Sequence, residues 1–402
     1  MTRQTRVLKC DPASISFSPT DIPQISDPQT VEALHSAVKL LNDRQTVAFP
    51  TETVYGLGAL ALDSTAAGRI FSTKGRPPDN PLIVHVSSRA MLRGLLPPSY
   101  KISRIYDILI EHFWPGPLTL LFPTDATLVP PIITANQPTV AIRMPSHSVA
   151  RALIAVADAP LAAPSANSSG KPSPTRAEHV FRDLEGKIDL ILDGGPCGVG
   201  LESTVVDGLH SDGNIRVLRP GGITVEDIED VLRANLGDME QQPRVLVHRR
   251  DYRDDAMEEA PTTPGMKYRH YSPAVPVILM YTSSVSPPDA RRSSISSLIH
   301  SLKSRATQSG VVKVGILTPS DSPILDMLPD ISGIEYLRYP LGPIADAAIT
   351  AQRLFDGFLT LERDGVDFIL IEEIEEEREG LAIMNRVKKA ASESIWLAPA
   401  TR

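Results

Sequence analysis

Residues 46–58 have the sequence Thr46-Val47-Ala48-Phe49-Pro50-Thr51-Glu52-Thr53-Val54-Tyr55-Gly56-Leu57-Gly58. Its apolar beginning predicts a buried strand, which runs directly into a segment of hydroxyl and carboxylate side chains. Further strands are predicted at residues 82–86, 118–122, 140–144, 161–163, 190–192 and 203–207, and the loops beside them hold most of the polar residues. A rigid sheet that presents functional loops gives this distribution. The first half of the chain is therefore predicted to be mixed α/β, with a site built on its loops.

A second α/β block follows. Residues 275–280, 311–317 and 368–371 predict strands, and residues 345–362 and 381–391 predict helices. Alternation of strand and helix is typical of a parallel sheet with helices packed on it. This block contains no catalytic motif that we can identify.

The predicted organisation has four parts. They are an N-terminal extension at 1–26, a first domain at 27–234, a linker at 235–274 and a smaller domain at 275–402. The linker is rich in charge and proline, but its end, Met266–Pro273, gathers two tyrosines, a histidine and two cations. Such side chains on a tether can cover a bound nucleotide, so this segment is predicted to be a lid.

Composition excludes several classes of protein. The net charge of −8 over 402 residues argues against a generally basic protein that coats nucleic acid. Two cysteines, Cys10 and Cys197, are too few for a disulfide scaffold and favour a reducing compartment. No apolar run reaches the length of a membrane span. We expect a cytoplasmic protein; Arg3, Arg6 and Lys9 without an acid leave a mitochondrial transit peptide as the minor alternative.

Two polar loops about ninety residues apart suggest one anion site. Lys74-Gly75-Arg76 precedes three prolines, which predict a stiff extended loop with both cations on one side. Ser165-Ala166-Asn167 supplies hydroxyl and amide donors. The alternative is that both are ordinary surface turns.

Two residues on predicted strands each allow two interpretations, one structural and one functional. Arg143 interrupts an apolar strand and needs a carboxylate partner, either internal or from a substrate. His85 is either a hydrogen-bonded core residue or a ligand contact. Gly56-Leu57-Gly58 loosely matches a dinucleotide fingerprint, but residues 60–63 are expected to continue the extended run, which disfavours a dehydrogenase.

Six segments in order resemble the threonylcarbamoyl-AMP synthase family with its YrdC-like domain. They are Pro50–Gly58, Lys74–Leu82, Trp114–Thr119, Ala141–Pro145, Pro164–Gly170 and Glu202–Val206. The resemblance implies a YrdC-like twisted mixed sheet with helices around a concave site. It also implies the family's long form, with a smaller C-terminal Rossmann-like parallel α/β domain.

The resemblance further implies a nucleotidyltransferase. It would make threonylcarbamoyl-AMP and pyrophosphate from L-threonine, bicarbonate and ATP, for the N6-threonylcarbamoyladenosine of tRNAs that read codons beginning with A. Mg²⁺ is expected with the ATP, without a dedicated protein site. A downstream threonylcarbamoyl transferase would receive the product, with weak or no direct tRNA binding and no membrane association.

Site residues are carried over from the same resemblance. The catalytic candidates are Lys74, Arg76, Ser165 and Asn167. The ATP-binding candidates are Arg76, Asn80, Thr139, Ser165, Asn167, Thr175, Arg219 and Tyr268. The threonine-binding candidates are Thr53, His85, Arg143 and Ser203, and no metal ligands are assigned.

Two other functions stay open at this point. One is a module that binds double-stranded RNA or a nucleotide without chemistry, against which the net charge counts. The other is carbamoyl-adenylate transfer, as in hydrogenase-maturation proteins, although the chain lacks their acylphosphatase and zinc-finger segments.

Overall fold

The protein is described by a computed structural model that covers residues 4–237, 242–254, 262, 270–285, 287, 290–305 and 310–397. The chain folds as two compact units. The first comprises residues 1–169 and 173–268, and the second comprises residues 170–172 and 269–402. Each unit has its own sheet.

The strands of the first unit are short and separated by loops and helices. They are β1 Arg6–Lys9, β2 Ile15–Phe17, β3 Pro23–Ile25, β4 Val47–Phe49, β5 Gly56–Leu60, β6 Ile83–His85, β7 Leu118–Pro123, β8 Thr139–Arg143, β9 Leu161–Ala162, β10 Leu190–Asp193, β11 Thr204–Asp207, β12 Ile215–Arg219 and β13 Val245–Val247. The helices are α1 Pro28–Asn42, α2 Ser64–Lys74, α3 Arg89–Arg93, α4 Arg104–Phe113, α5 Pro131–Thr134, α6 Ser148–Ala157, α7 Ala177–Leu184 and α8 Val225–Leu236, with a 3-10 turn at Pro12–Ser14.

The main sheet of this unit is mixed. Its eleven strands lie in the order β1-β10-β4-β5-β9-β6-β8-β7-β11-β12-β13. The segment predicted as an N-terminal extension supplies edge strand β1, which runs parallel to β10. A core of α1, α6, β4 and β10 side chains covers this end, including Leu34, Phe49, Leu153 and Leu192. The predicted mixed sheet is confirmed.

Helix α2 departs from the sequence-based expectation. The extended run was expected to continue through Asp63, but β5 ends at Leu60 and the Asp63 carboxylate accepts hydrogen bonds from Thr65 N at 2.9 Å and Ala66 N at 3.0 Å. An aspartate in this position satisfies the free N–H groups of a first helical turn. The helix then continues to Lys74 and ends at Gly75, whose φ of 62° suits glycine.

The second unit contains a parallel six-stranded sheet. Its strands are β14 Val277–Tyr281, β15 Arg291–Ser293, β16 Val312–Thr318, β17 Ile334–Pro340, β18 Phe368–Glu372 and β19 Glu393–Leu397, in the order β15-β19-β14-β18-β16-β17. Its helices are α9 Ile295–Arg305, α10 Ile324–Met327, α11 Ala347–Arg363 and α12 Glu379–Ala390. All described strand pairs run parallel, which confirms the predicted Rossmann-like α/β domain. Among the described residues of both units, no helix combines the length and apolarity needed to cross a bilayer.

Candidate active site

A row of residues crosses four neighbouring strand pairs of the first sheet. His85 on β6 pairs with Arg143 on β8, and Arg143 pairs with Thr119 on β7. Thr119 pairs with Val205 on β11, which in turn pairs with Arg219 on β12. All five residues are buried. Directly paired residues of neighbouring strands place their side chains on one face. The register therefore brings together three residues that the sequence analysis assigned to the site.

Arg143 is held by three residues from two separate segments. Its Nε donates to Gly116 O at 3.2 Å, and its Nη1 donates to Thr53 Oγ1 at 2.9 Å. Its Nη2 lies 2.6 Å from Glu52 Oε1, and both side chains are largely buried. A buried cation of this kind is stable only with a paired charge and further hydrogen bonds. The carboxylate partner that the strand position required is thus the internal residue Glu52.

Ser203 forms a second polar group at the start of β11. Its Oγ lies 2.7 Å from Thr119 Oγ1, and Arg219 Nη2 donates to Ser203 O at 2.9 Å and to Ser203 Oγ at 3.2 Å. Gly221 permits this arrangement, because a Cβ there would lie 2.3 Å from Glu202 O. The loop after β12 can approach β11 this closely only with glycine at that position.

Lys74 joins the two loops that suggested one site. Its buried ammonium group donates hydrogen bonds to the carbonyl oxygens of Ser165 and Asn167. Burial and the neighbouring Arg76 hold the pKa of Lys74 well below its usual range, while Asp183 and Glu202 oppose that shift. The structure therefore brings Lys74 to the Ser165–Asn167 segment, so the two segments meet as the sequence analysis suggested.

The geometry predicted for the two cations is wrong. Lys74 ends a helix and Gly75 adopts a left-handed conformation, so Lys74 and Arg76 do not share one side of an extended loop. Arg76 donates from Nε to Asn80 O at 3.1 Å and from Nη2 to Pro81 O at 2.7 Å. These contacts fix the proline-rich loop, so both cations order the main chain of the site.

Several predicted ligand contacts carry a buried polar atom without a protein partner. Within the described part of the chain, no hydrogen bond reaches four atoms: Asn80 Oδ1, His85 Nδ1, Thr139 Oγ1 and Thr175 Oγ1. Buried polar groups are nearly always paired, and each exception calls for a reason. A bound ligand would supply the missing partners.

His85 is neutral in this setting. Burial, with a smaller contribution from Arg143, lowers its pKa from 6.5 to about 3. Hydrogen bonds with the main chain of Ile83 and Leu161 oppose the shift without cancelling it. A neutral imidazole keeps one ring nitrogen as an acceptor, which matches the unpaired Nδ1.

Sequence reasoning missed three carboxylates at this site. Glu52 pairs with Arg143, Glu202 Oε1 accepts from Ser173 Oγ at 2.6 Å, and Asp183 Oδ1 accepts from Ser168 Oγ at 3.1 Å. The signal for Glu52 was present, because the buried Arg143 required a carboxylate and Glu52 adjoins the assigned Thr53.

Part of the predicted lid lies outside the residues that the structure describes, namely residues 266–269, which include Tyr268.

The described residues also include no cluster of metal ligands. In these ranges, no three His, Cys, Asp or Glu side chains are grouped so that they could hold a metal ion.

Two protein-family models match consecutive parts of the chain. A family model described as telomere recombination matches residues 39–221, and one described as the threonylcarbamoyl-AMP synthase C-terminal domain matches residues 223–392.

Curated relatives match this chain over nearly its full length. A threonylcarbamoyl-AMP synthase of Schizosaccharomyces pombe is 42% identical, with 97% of each chain covered. One of Bacillus subtilis is 41% identical, covering 92% of this chain and 95% of its own. The crystal structure of Pyrococcus abyssi Sua5 complexed with L-threonine superposes with a TM-score of 0.75 at 37% identity, covering 98% of this chain and 99% of that one. The chain belongs to the threonylcarbamoyl-AMP synthase family, whose members are nucleotidyltransferases.

Proposed function

We propose that the protein makes threonylcarbamoyl-AMP and pyrophosphate from L-threonine, bicarbonate and ATP, for N6-threonylcarbamoyladenosine in tRNAs that read codons beginning with A. The observation that carries the proposal is the buried row of His85, Arg143, Thr119 and Arg219, in which His85 Nδ1 has no hydrogen-bond partner among the described residues. A site with buried, unsatisfied donors and acceptors favours a polar, charged substrate over an apolar ligand.

Threonine is proposed to bind at Thr53, His85, Arg143 and Ser203. Arg143 is the group in this set that pairs with a carboxylate, since a guanidinium matches that geometry. The neutral ring of His85 accepts a hydrogen bond from the threonine hydroxyl at its unpaired Nδ1. The crystallised P. abyssi relative binds L-threonine, which supports an amino-acid subsite here.

ATP is proposed to bind the remaining members of the site. They are Arg76, Asn80, Thr139, Ser165, Asn167, Thr175, Arg219 and, from the linker, Tyr268. The unpaired atoms of Asn80, Thr139 and Thr175 give the nucleotide three hydrogen-bonding positions. Mg²⁺ is proposed to enter with the phosphates of ATP, since the described residues offer it no cluster of ligands.

The proposed reaction needs no protein nucleophile. The amine of threonine and bicarbonate give the carbamate and water, and a carbamate oxygen then attacks the α-phosphorus. The bond from that phosphorus to the bridging oxygen of the β-phosphate breaks, and pyrophosphate leaves. The protein has to align two anions and offset their repulsion. Lys74 and Arg76 contribute by holding the loops in place and by their positive charge.

Two further expectations belong to the same proposal. The product passes to a downstream threonylcarbamoyl transferase with weak or no direct binding of tRNA to this protein, and the protein works in the cytoplasm. Pulldown from lysate and cell fractionation address these two points separately.

Turnover with defined substrates tests the central proposal. The purified protein is incubated with ATP, bicarbonate and each amino acid in turn, and pyrophosphate is measured. We expect pyrophosphate with L-threonine and none when bicarbonate is removed. Salt-sensitive binding of double-stranded RNA without pyrophosphate release would instead support a binding module.

A further inference from the structure

Glu52 is a largely buried carboxylate without an assigned role. It lies 2.6 Å from Arg143 Nη2, with 12% of its side chain exposed. Its Oε1 is engaged in that ion pair, whereas Oε2 has no hydrogen-bond partner in the described ranges. A carboxylate accepts several hydrogen bonds, and a buried carboxylate oxygen without one is costly. Glu52 therefore retains its acceptor capacity for a group that the protein itself does not supply.

The main chain around Glu52 is fixed from several directions. Val199 N donates to Glu52 O at 2.7 Å, and Gly200 N donates to Thr53 O at 3.1 Å. Thr51 Oγ1 donates to Val54 O at 2.6 Å. A carboxylate on a main chain held in this way is preorganised, so binding to it loses little conformational entropy.

The neighbouring guanidinium has matching spare capacity. Its Nε and Nη1 donate to Gly116 and Thr53, and Nη2 is paired with Glu52 Oε1, so that within the described ranges one N–H of each Nη remains for a further acceptor. A carboxylate oxygen without a donor thus lies next to a guanidinium with spare N–H groups. An α-amino acid carries an ammonium and a carboxylate on one carbon, so its zwitterion complements this pair. An anion without an ammonium group can pair with Arg143 but offers no donor to Glu52.

We propose that Glu52 and Arg143 together bind the two charged groups of the amino-acid substrate, Glu52 accepting from its α-ammonium group and Arg143 pairing with its α-carboxylate. This inference rests on the proposed function and adds the residue that holds the reacting nitrogen. Glu52 accordingly determines specificity for an amine over other groups at that carbon.

Binding of three ligands without ATP tests the assignment by calorimetry. They are L-threonine, the hydroxy acid in which a hydroxyl replaces the amine, and L-threonine amide, which lacks the carboxylate. The wild-type protein should prefer threonine over each analogue by about 10- to 100-fold, the usual effect of a hydrogen bond to a charged group. Glu52→Gln should lose the preference over the hydroxy acid and keep the preference over the amide.

Matched variants separate this role from a structural one. Glu52→Asp keeps the charge and should retain a preference for the amine, which also covers the case in which Glu52→Gln does not fold. Asp21→Asn breaks another arginine pair of the same unit, that of the mostly buried Arg151 with the partly exposed Asp21 at 2.7 Å, and should leave threonine binding unchanged.

The outcomes distinguish the two proposals. If Glu52→Gln weakens threonine and the hydroxy acid equally, Glu52 only orients Arg143 and the inference is overturned. The same holds if the variant keeps the wild-type preference. If the wild-type protein makes no pyrophosphate from threonine, bicarbonate and ATP, the proposed function fails whatever the ligand ratios are.

Discussion

The ammonium group of Lys74 donates a hydrogen bond to the main-chain carbonyl of Asn167, although 93 residues separate the two. With its second bond, to Ser165 O, the lysine ties the end of helix α2 to the loop that follows β9. The lysine therefore fixes the conformation of the Ser165–Asn167 segment through its main chain and not through its side chains.

Removing this cation is predicted to affect both stability and turnover. Lys74→Met keeps the length of the side chain but leaves two carbonyls without their donor, at about 1–3 kcal/mol for each buried group. We expect a lower melting temperature and threonine-dependent pyrophosphate release reduced on the order of 100-fold. The exposed Lys39→Ala serves as the control and should change neither property. A folded Lys74→Met protein with normal turnover would show that Lys74 is dispensable.

The low pKa of His85 predicts a pH-dependent stability. The folded state keeps this histidine neutral down to about pH 3, whereas an unfolded chain protonates it below 6.5. Unfolding therefore takes up a proton in that window, and the stabilising contribution is lost as the pH falls from 6.5 towards 3.

Urea unfolding of wild type and His85→Gln checks this sign. Between about pH 7 and about pH 5.5, the wild-type free energy of unfolding should fall by about 1 kcal/mol more than that of the variant. Comparison with the variant cancels the other groups that titrate in this range. Parallel pH dependences in the two proteins would contradict the buried, neutral state of His85.

Thr175 is predicted to matter for ATP and not for folding. Its hydroxyl is buried without a hydrogen-bond partner in the described part of the chain, so Thr175→Val removes no internal bond. We expect an unchanged or higher melting temperature and an affinity for a non-hydrolysable ATP analogue about tenfold lower.

Thr204→Val is the matched comparison for Thr175. The Thr204 hydroxyl donates to Ile223 O at 2.5 Å and accepts from Ile223 N at 2.9 Å, so its loss should lower the melting temperature. Calorimetry and thermal unfolding on both variants measure the contrast. Unaltered nucleotide affinity in Thr175→Val would remove Thr175 from the ATP site.

The loop after β12 should tolerate no side chain at Gly221. A Cβ there would lie 2.3 Å from Glu202 O and 2.4 Å from Ser203 C, both main-chain atoms that cannot yield locally. Gly221→Ala should therefore destabilise the protein by about 1–3 kcal/mol or more and displace Arg219 from Ser203.

Gly198→Ala is the control for this steric argument. Nothing lies within 4 Å of a Cβ built at Gly198, so that change should be nearly neutral. Thermal unfolding and pyrophosphate release are measured for both variants. Equal melting temperatures would mean that the β11 and β12 loops can separate without cost.

Much of the architecture could be predicted because its signals are local. Strand β7 was predicted at residues 118–122 and spans Leu118–Pro123, and the helix predicted at residues 345–362 spans Ala347–Arg363. Apolar periodicity depends only on neighbours in the chain. Helix α2 was missed because the apolar residues that follow β5 were expected to continue the strand, although the helix cap at Asp63 is a local signal.

The sequence by itself determined the family, the two α/β blocks and the residue types of the site, since ordered motifs and hydrophobic patterns are properties of the chain alone. Only the tertiary structure decided that Arg143 already has Glu52 as its partner and that Lys74 donates to main-chain carbonyls. Strand register brings together groups that lie about ninety residues apart in the chain. Burial removes water from them, so each charged group has to be paired within the protein.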